Sequence, residues 1–202
     1  MVTEGIAYKE KASRGIIKEF IDMDYYIIFA GIIDQNFATQ LAFAIGNAET
    51  KGATKIFLLL SSLGGNIQEG FSLATIIQNS KIPISIHATN NIDSIANVIY
   101  LSAKERTAES YAKFYLHGAT TPQSAFDEKG LKEQLLAIRT ENTRIAYFVS
   151  ENSGLSLKKV QGMMKAGTTI SAQQALQCGI VQEIKHIEIP QGALKQEIIT
   201  IN

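Results

Sequence analysis

The sequence predicts an α/β fold built around a largely parallel sheet. Strand-like and helix-like segments alternate between residues 25 and 86, in the order that parallel strands with crossover helices require. The run 56–60 (IFLLL) is apolar at every position, as expected of a strand that is buried on both faces. The alternation and the buried strand together indicate a sheet that helices cover.

Short polar and glycine signals mark the ends of these elements. Asp34 and Asn66 can each cap a following helix, and Gly52 is placed to end the first one. We expect 61–65 (SSLGG) to form a tight loop and 90–93 (NNID) to form a turn. The predicted strands cover residues 25–30, 56–60, 84–86, 114–116 and 180–184. The predicted helices begin near residues 34, 66, 94, 127, 157 and 171.

The composition suits a single domain over residues 1–202, with a polar and flexible arm at 1–20. The 19 basic residues balance 19 acidic ones, so the charge gives no indication of a nucleic-acid partner. We expect no membrane span, because every apolar run is too short. The single cysteine, Cys178, cannot form an internal disulfide. These features predict a cytoplasmic protein.

Ser94 is the candidate nucleophile because it lies between a predicted strand and a predicted helix. A serine at such a junction most often caps the helix, so a chemical role also needs a base and oxyanion donors. The helix start offers the N–H group of Ile95, and the neighbouring strand end offers that of Gly65. Active sites in open α/β sheets collect at such strand ends, which favours a site around Ser94.

Three histidines are candidate bases for this serine. His87 lies within a predicted strand, where packing alone can explain it, and His186 lies in the C-terminal tail. His117 ends a predicted strand and precedes Gly118, so its imidazole can face a cleft. Position in the sequence alone does not decide which of the three histidines is the base.

Several segments, in order and in spacing, resemble the Clp protease proteolytic-subunit family. A glycine-rich segment, a strand, a serine, a helix, an Arg-x-Ala segment and a strand ending in histidine follow one another, and Ser94 follows Gly65 by 29 positions. The predicted helix at 127–152 takes the place of the family's handle helix. The matching segments are 62–66 (SLGGN), 84–86 (ISI), 106–108 (RTA), 115–117 (YLH) and 171–181 (SAQQALQCGIV), within a resemblance that covers about 25–185.

The resemblance implies a crotonase-like spiral of ββα units that acts as a serine endopeptidase. Ser94 would be the nucleophile, His117 the base, and the N–H groups of Gly65 and Ile95 the oxyanion hole. No metal and no organic cofactor is implied. The resemblance also implies a homo-oligomer of two stacked heptameric rings with the handle helix between them. Such a chamber receives peptide or unfolded protein from an ATP-driven AAA+ unfoldase.

The family's third catalytic residue is an aspartate, and this chain has Gly167 at that position. The aspartate orients the histidine and stabilises its charged form, so the third member of the triad is unknown here. Glu151 and Asn152 are candidates because they are polar and close in sequence. We expect either another group to orient His117 or activity to be weak or absent.

The turn before the serine also departs from the family pattern, with Asn90 for a glycine and Asp93 for a small residue. Asparagine tolerates positive φ, whereas Asp93 would either replace the missing partner or oppose the oxyanion. Leu63 replaces the usual proline of the glycine-rich segment. These departures leave open a non-catalytic subunit kept for assembly or binding. Two further alternatives are a crotonase-type enzyme acting on an acyl-CoA and a Ser–Lys dyad, although no lysine is clearly placed for the latter.

Overall fold

A computed structural model describes residues 23–121 and 124–199, and this part of the chain forms eight strands and six helices. The strands are β1 (Asp24–Ile33), β2 (Lys55–Gly65), β3 (Ile84–Asp93), β4 (Glu105–Ala108), β5 (Lys113–Leu116), β6 (Thr168–Ser171), β7 (Glu183–Ile184) and β8 (Leu194–Ile199). The helices are α1 (Gln35–Thr50), α2 (Ile67–Gln78), α3 (Ala96–Leu101), α4 (Glu128–Glu151), α5 (Leu157–Ala166) and α6 (Ala172–Gln177). The arm expected at residues 1–20 lies outside the described residues.

One sheet contains all eight of these strands. Its main path runs β6-β5-β3-β2-β1-β8, and β4 pairs with β3 and β7 beside this path. The pairings between described strands are parallel except that of β5 with β6. The predicted α/β fold with a largely parallel sheet is therefore confirmed. The carboxyl ends of β2 and β3 lie side by side, where ligands bind in sheets of this kind.

The helices begin and pack much as their sequence signals predict. The carboxylate of Asp34 accepts a hydrogen bond from the N–H of Phe37, and the Asn66 side chain caps α2. All six residues of α3 are buried, so this short helix lies in the core. The predicted apolar face of α1 is buried as well, through Phe37, Leu41, Ala44 and Ala48.

Two segments that were predicted as a loop and a turn are strand. Residues 61–65 complete β2, and residues 90–93 complete β3. Ser62 pairs with Ile92, and Asp93 pairs with Tyr115 of β5. Hydrogen bonds to these neighbouring strands hold both segments in the sheet, although the local sequence favours turns. Both strands therefore run farther toward the site than predicted.

The C-terminal strands also differ from the prediction for residues 180–184. Only β7 is strand there, because the N–H groups of Ile180 and Val181 instead bind the Ala175 carbonyl and close the end of α6. Strand β8 was not predicted, and it pairs in parallel with β1 at the end of the sheet. Its burial alternates between half-buried and exposed residues, with Ile198 fully buried.

Helix α4 occupies the place predicted for the handle helix, and Asp127 caps its start. Ile145 and Val149 are buried, but Leu131 and Leu135 are 58% and 48% exposed. The predicted apolar stripe therefore contacts the core only through its C-terminal half. None of the helices in the described ranges combines the length and the apolar character that crossing a bilayer requires.

The buried Arg106 side chain joins the C-terminal ends of three helices. Its guanidinium donates to the carbonyl oxygens of Ala103 after α3, Asn152 after α4, and Gly179 and Ile180 after α6, over 2.6–3.4 Å. A cation is favourable there because the carbonyl ends of helices carry partial negative charge. Arg106 therefore links the C-terminal ends of α3, α4 and α6 through hydrogen bonds.

Candidate active site

Ser94 occupies a sharp turn between β3 and α3. Its φ is +57°, and it is the one non-glycine residue in the described ranges with a positive φ. This conformation costs an L-residue about 1–2 kcal/mol. The Ser94 N–H donates to the Tyr115 carbonyl of β5 at 2.9 Å. Its side chain does not cap α3, because Ile95 takes the N-cap position without a side-chain bond. The surrounding structure therefore holds the serine in a strained position, as is common at functional sites.

Asn97 holds this turn from within α3. Its side chain is 2% exposed, and Nδ2 donates to the carbonyl oxygens of Ile92, Ser94 and Tyr115 at 3.0–3.1 Å. Carbonyl oxygens only accept, so the amide nitrogen must face them. Asn97 thus joins the end of β3, the turn and the end of β5. We did not predict this residue, although a polar side chain in the apolar segment 95–99 was a usable signal.

The glycine pair brings the end of β2 against the same turn. Gly64 has a φ of +93°, and a Cβ atom there would lie 2.6 Å from the Cβ of Ser94. Gly65 has a φ of +149°, and a Cβ atom there would overlap the carbonyl oxygen of Ile33. Both positions require glycine, because of backbone conformation and space. The pair lets the main chain approach Ser94, as an oxyanion donor must.

His117 follows β5, and a backbone carbonyl binds its Nδ1 atom. Its Nδ1 lies 2.7 Å from the Gly118 carbonyl oxygen. Because that oxygen only accepts, Nδ1 carries a proton, and in the neutral form of the ring Nε2 holds the lone pair. The imidazole also stacks on the Tyr115 ring, with centroids 4.8 Å apart.

Ser94 and His117 line one cavity of about 410 Å³, together with Gly65. Within the described residues, the Ser94 hydroxyl and the imidazole are not hydrogen-bonded to each other, and the Ile95 N–H has no partner. Ser94, His117 and Gly65 thus line one cavity, whereas Ile95 follows Ser94 in the chain and does not line it. Apolar side chains form much of its wall: Leu116, Ile138, Ile145, Val149 and Met164.

The position of the family's aspartate holds no carboxylate. Gly167 ends α5 with a φ of +66°, and a Cβ atom there would lie 3.1 Å from the Tyr115 hydroxyl oxygen. Glu151 is exposed at the end of α4, and the Asn152 side chain donates to the Phe148 carbonyl. Neither of these two candidates lines the cavity. The group that binds Nδ1 of His117 is instead the Gly118 carbonyl.

Asp93 lies beside the site without bonding to the base. Burial raises the pKa of its carboxyl group, against smaller opposing effects from the charges of Lys113 and His117. Its Oδ1 atom is buried and has no hydrogen-bond partner among the described residues. The geometry therefore does not place Asp93 as the missing partner of His117.

The other two histidines meet on a different carboxylate. The buried His87 has Nδ1 2.8 Å from the Thr107 hydroxyl and Nε2 3.3 Å from Oε1 of Glu109. His186 Nδ1 lies 2.7 Å from the same Glu109 oxygen. Burial alone would raise the pKa of Glu109, but the hydrogen bonds from the two imidazoles outweigh it and lower the pKa. Of the three histidines, only His117 lines the Ser94 cavity.

The fold and the site define an α/β protein with a serine–histidine cavity at the carboxyl ends of parallel strands. The family model for Clp protease matches residues 9–188. Because this match extends over most of the chain, the chain belongs to the Clp protease family.

Individual proteins agree with this assignment. Two from Streptococcus pneumoniae, strains Hungary19A-6 and CGSP14, are each named ATP-dependent Clp protease proteolytic subunit. Each is 26% identical over 170 residues, which cover 80% of this chain and 84% of the relative. A solved structure of a ClpP1 mutant from Listeria monocytogenes matches with a TM-score of 0.73 and 20% identity, over 80% of this chain and 91% of that chain. This likeness confirms the predicted fold.

Proposed function

We propose that this chain is a serine endopeptidase in which Ser94 is the nucleophile and His117 the base. One observation carries the proposal: the strained Ser94 and His117, whose Nδ1 is bound to a backbone carbonyl, line the same cavity. Membership of the Clp protease family supports the same reaction.

The proposed reaction begins when the Ser94 hydroxyl oxygen attacks a peptide carbonyl carbon and Nε2 of His117 accepts the hydroxyl proton. The N–H groups of Ile95 and Gly65 hold the oxyanion that forms. His117 then gives the proton to the leaving amine as the C–N bond breaks, which leaves an acyl ester on Ser94. A water molecule, deprotonated by His117, releases the acid. These steps use no metal and no organic cofactor.

The group that binds Nδ1 of His117 affects the expected rate of acylation. His117 becomes a cation during acylation, and a carboxylate at Nδ1 would stabilise that cation more strongly than the Gly118 carbonyl dipole does. We therefore expect acylation that is slower than in a complete triad.

The cavity wall suits an unfolded protein or peptide as substrate. The apolar residues Leu116, Ile138 and Ile145 line it beside Ser94, so we propose an apolar substrate side chain next to the cleaved bond. At the polar side of the cavity, the Gln68 side chain of α2 donates to the Glu141 carboxylate of α4 at 3.0 Å. The substrate main chain would lie extended along strand edges.

A serine-directed fluorophosphonate, followed by peptide mapping, tests the nucleophile. We expect one adduct, on Ser94, and loss of both labelling and peptide hydrolysis in Ser94→Ala. Ser124→Ala, at an exposed serine, is the matched control and should behave as the unmodified chain does. Hydrolysis that persists in Ser94→Ala would show that another group is the nucleophile.

A non-catalytic subunit is the second candidate, and it is favoured by Gly167 and by the absence, in the described structure, of a hydrogen bond between Ser94 and His117. It predicts assembled rings that neither label nor cleave. Saturating labelling of Ser94 together with peptide turnover would exclude it.

We propose that the chain assembles into homo-oligomeric, heptameric rings. An AAA+ unfoldase would deliver unfolded protein substrate to these rings. The exposed leucines of α4 support this, because Leu131, Leu135 and Leu136 are 48–66% exposed and suit burial against another subunit. Sedimentation velocity of Leu135→Asp against Lys132→Asp, an exposed control on the same helix, tests it. Equal ring mass in both variants would mean that this face does not carry the assembly.

A further inference from the structure

Tyr115 contacts the base from β5. Residues 115 and 117 are two positions apart, which puts both side chains on one face of an extended chain. The two rings stack with centroids 4.8 Å apart and planes 24° from parallel. The imidazole of His117 is therefore held on one face by an aromatic ring, in addition to its bond to the Gly118 carbonyl.

The other end of the tyrosine fills the space in front of Gly167. Tyr115 pairs with Thr169 in the antiparallel β5–β6 ladder, which sets the ring beside the start of β6. A Cβ atom at position 167 would lie 3.1 Å from the Tyr115 hydroxyl oxygen, closer than unbonded atoms normally approach. A side chain at 167 would therefore press on the tyrosine hydroxyl.

We propose that Tyr115 is a positioning residue for His117 and takes over, by stacking, the orienting role of the missing carboxylate. This inference rests on the proposed peptidase function. The ring restricts rotation of the imidazole, so that Nδ1–H stays on the Gly118 carbonyl. Its electron-rich face also favours the imidazolium that forms during acylation. Gly167 belongs to the same arrangement, because a side chain at 167 would press on the tyrosine hydroxyl and shift the ring.

The first test compares labelling of Ser94 by the fluorophosphonate in Tyr115→Phe, Tyr115→Leu and Tyr111→Leu. Tyr111 is 68% exposed and serves as the matched control. We expect the maximal labelling rate to stay within about twofold in Tyr115→Phe and to fall about tenfold in Tyr115→Leu, because only leucine removes the aromatic face. The half-saturating probe concentration should stay unchanged, since Tyr115 does not line the cavity. Tyr111→Leu should match the unmodified chain.

A second measurement is independent of turnover. Nitrogen-15 spectra of the full chain labelled in histidine report which imidazole nitrogen carries the proton, and the three histidines can be assigned by single substitutions. We expect a protonated Nδ1 at His117 in the unmodified chain and in Tyr115→Phe, and a mixture of tautomers in Tyr115→Leu. An unchanged Nδ1–H signal in Tyr115→Leu would overturn the proposal. If the unmodified chain takes no label, the peptidase function fails, and these spectra still decide the role of Tyr115.

A third test isolates the contact at Gly167. Gly167→Ala is placed in the unmodified chain and in Tyr115→Phe, so that the backbone strain at a φ of +66° is common to both. The hydroxyl contact exists only in the unmodified background. We expect the labelling rate to fall about tenfold there and less than about threefold beside phenylalanine. Equal losses in the two backgrounds would show that the tyrosine does not need the space at Gly167.

Discussion

Gly70 offers the sharpest test of how the core positions the oxyanion donor. This glycine is buried within α2, against α3. A Cβ atom there would overlap Cγ1 of Ile95 and lie 3.1 Å from its Cδ1 atom. Ile95 is fully buried, so its side chain has little room to turn away. Gly70→Ala should therefore push on the residue whose N–H group is the proposed oxyanion donor.

The magnitude follows from two opposing effects. Replacing a helical glycine by alanine raises the free energy of unfolding by about 1 kcal/mol. Overpacking a core lowers the free energy of unfolding by about 1–3 kcal/mol. Gly162, in α5, has nothing within 4 Å of an added Cβ and provides the matched control. We expect Gly162→Ala to be stabilised by about 1 kcal/mol. Gly70→Ala should be less stable than this control by about 1–3 kcal/mol.

The assays are urea unfolding and the rate at which the fluorophosphonate labels Ser94. Loss of an oxyanion donor costs about 10²–10³ in rate, so a displaced Ile95 should slow labelling at least about tenfold in Gly70→Ala. Labelling in Gly162→Ala should be unchanged. If both variants gain the same stability and label at the same rate, the packing of Ile95 does not position the donor.

Three further predictions concern side chains around the site. Asn97→Ala should lose about 1–3 kcal/mol of unfolding free energy and slow the labelling of Ser94, because carbonyls of the turn lose their donor. Arg106→Met should lose about 2–4 kcal/mol in urea unfolding, with carbonyls at three helix ends left unpaired. Asp93→Asn should raise the melting temperature more at about pH 7 than at about pH 4. Burial raises the pKa of the Asp93 carboxyl group in the folded protein. The carboxyl group therefore stabilises the fold at low pH, and this stabilisation is lost as the pH rises through the folded-state pKa.

Each of these predictions has an outcome that contradicts it. Unchanged labelling in Asn97→Ala would mean that the turn holds Ser94 without the hydrogen bonds from Asn97. Full stability in Arg106→Met would show that water satisfies the helix-end carbonyls. An equal gain in melting temperature at both pH values in Asp93→Asn would show that the carboxyl group is not penalised by burial.

The sequence was sufficient for features that depend on nearby residues. The caps at Asp34 and Asn66 and the buried strand at 56–60 follow from side chains within a few positions of each other, and the structure confirms them. Ser94 and His117 were selected by their positions at element ends, and the structure places both at one cavity. Parallel strands bring their carboxyl ends to one edge, so this meeting follows from the order of elements.

The tertiary structure alone decided how far the strands run and which groups surround the base. Residues 61–65 and 90–93 carry turn-forming sequence, yet pairing with neighbouring strands keeps both segments in the sheet. The contact of Tyr115 with the space at Gly167 depends on the register between β5 and β6, which are more than 50 residues apart in sequence. Local patterns carry no information about such register, because it is set by the packing of the whole sheet. The sequence by itself therefore determined the family, the nucleophile candidate and the missing aspartate, and the sheet decided what stands beside the histidine instead.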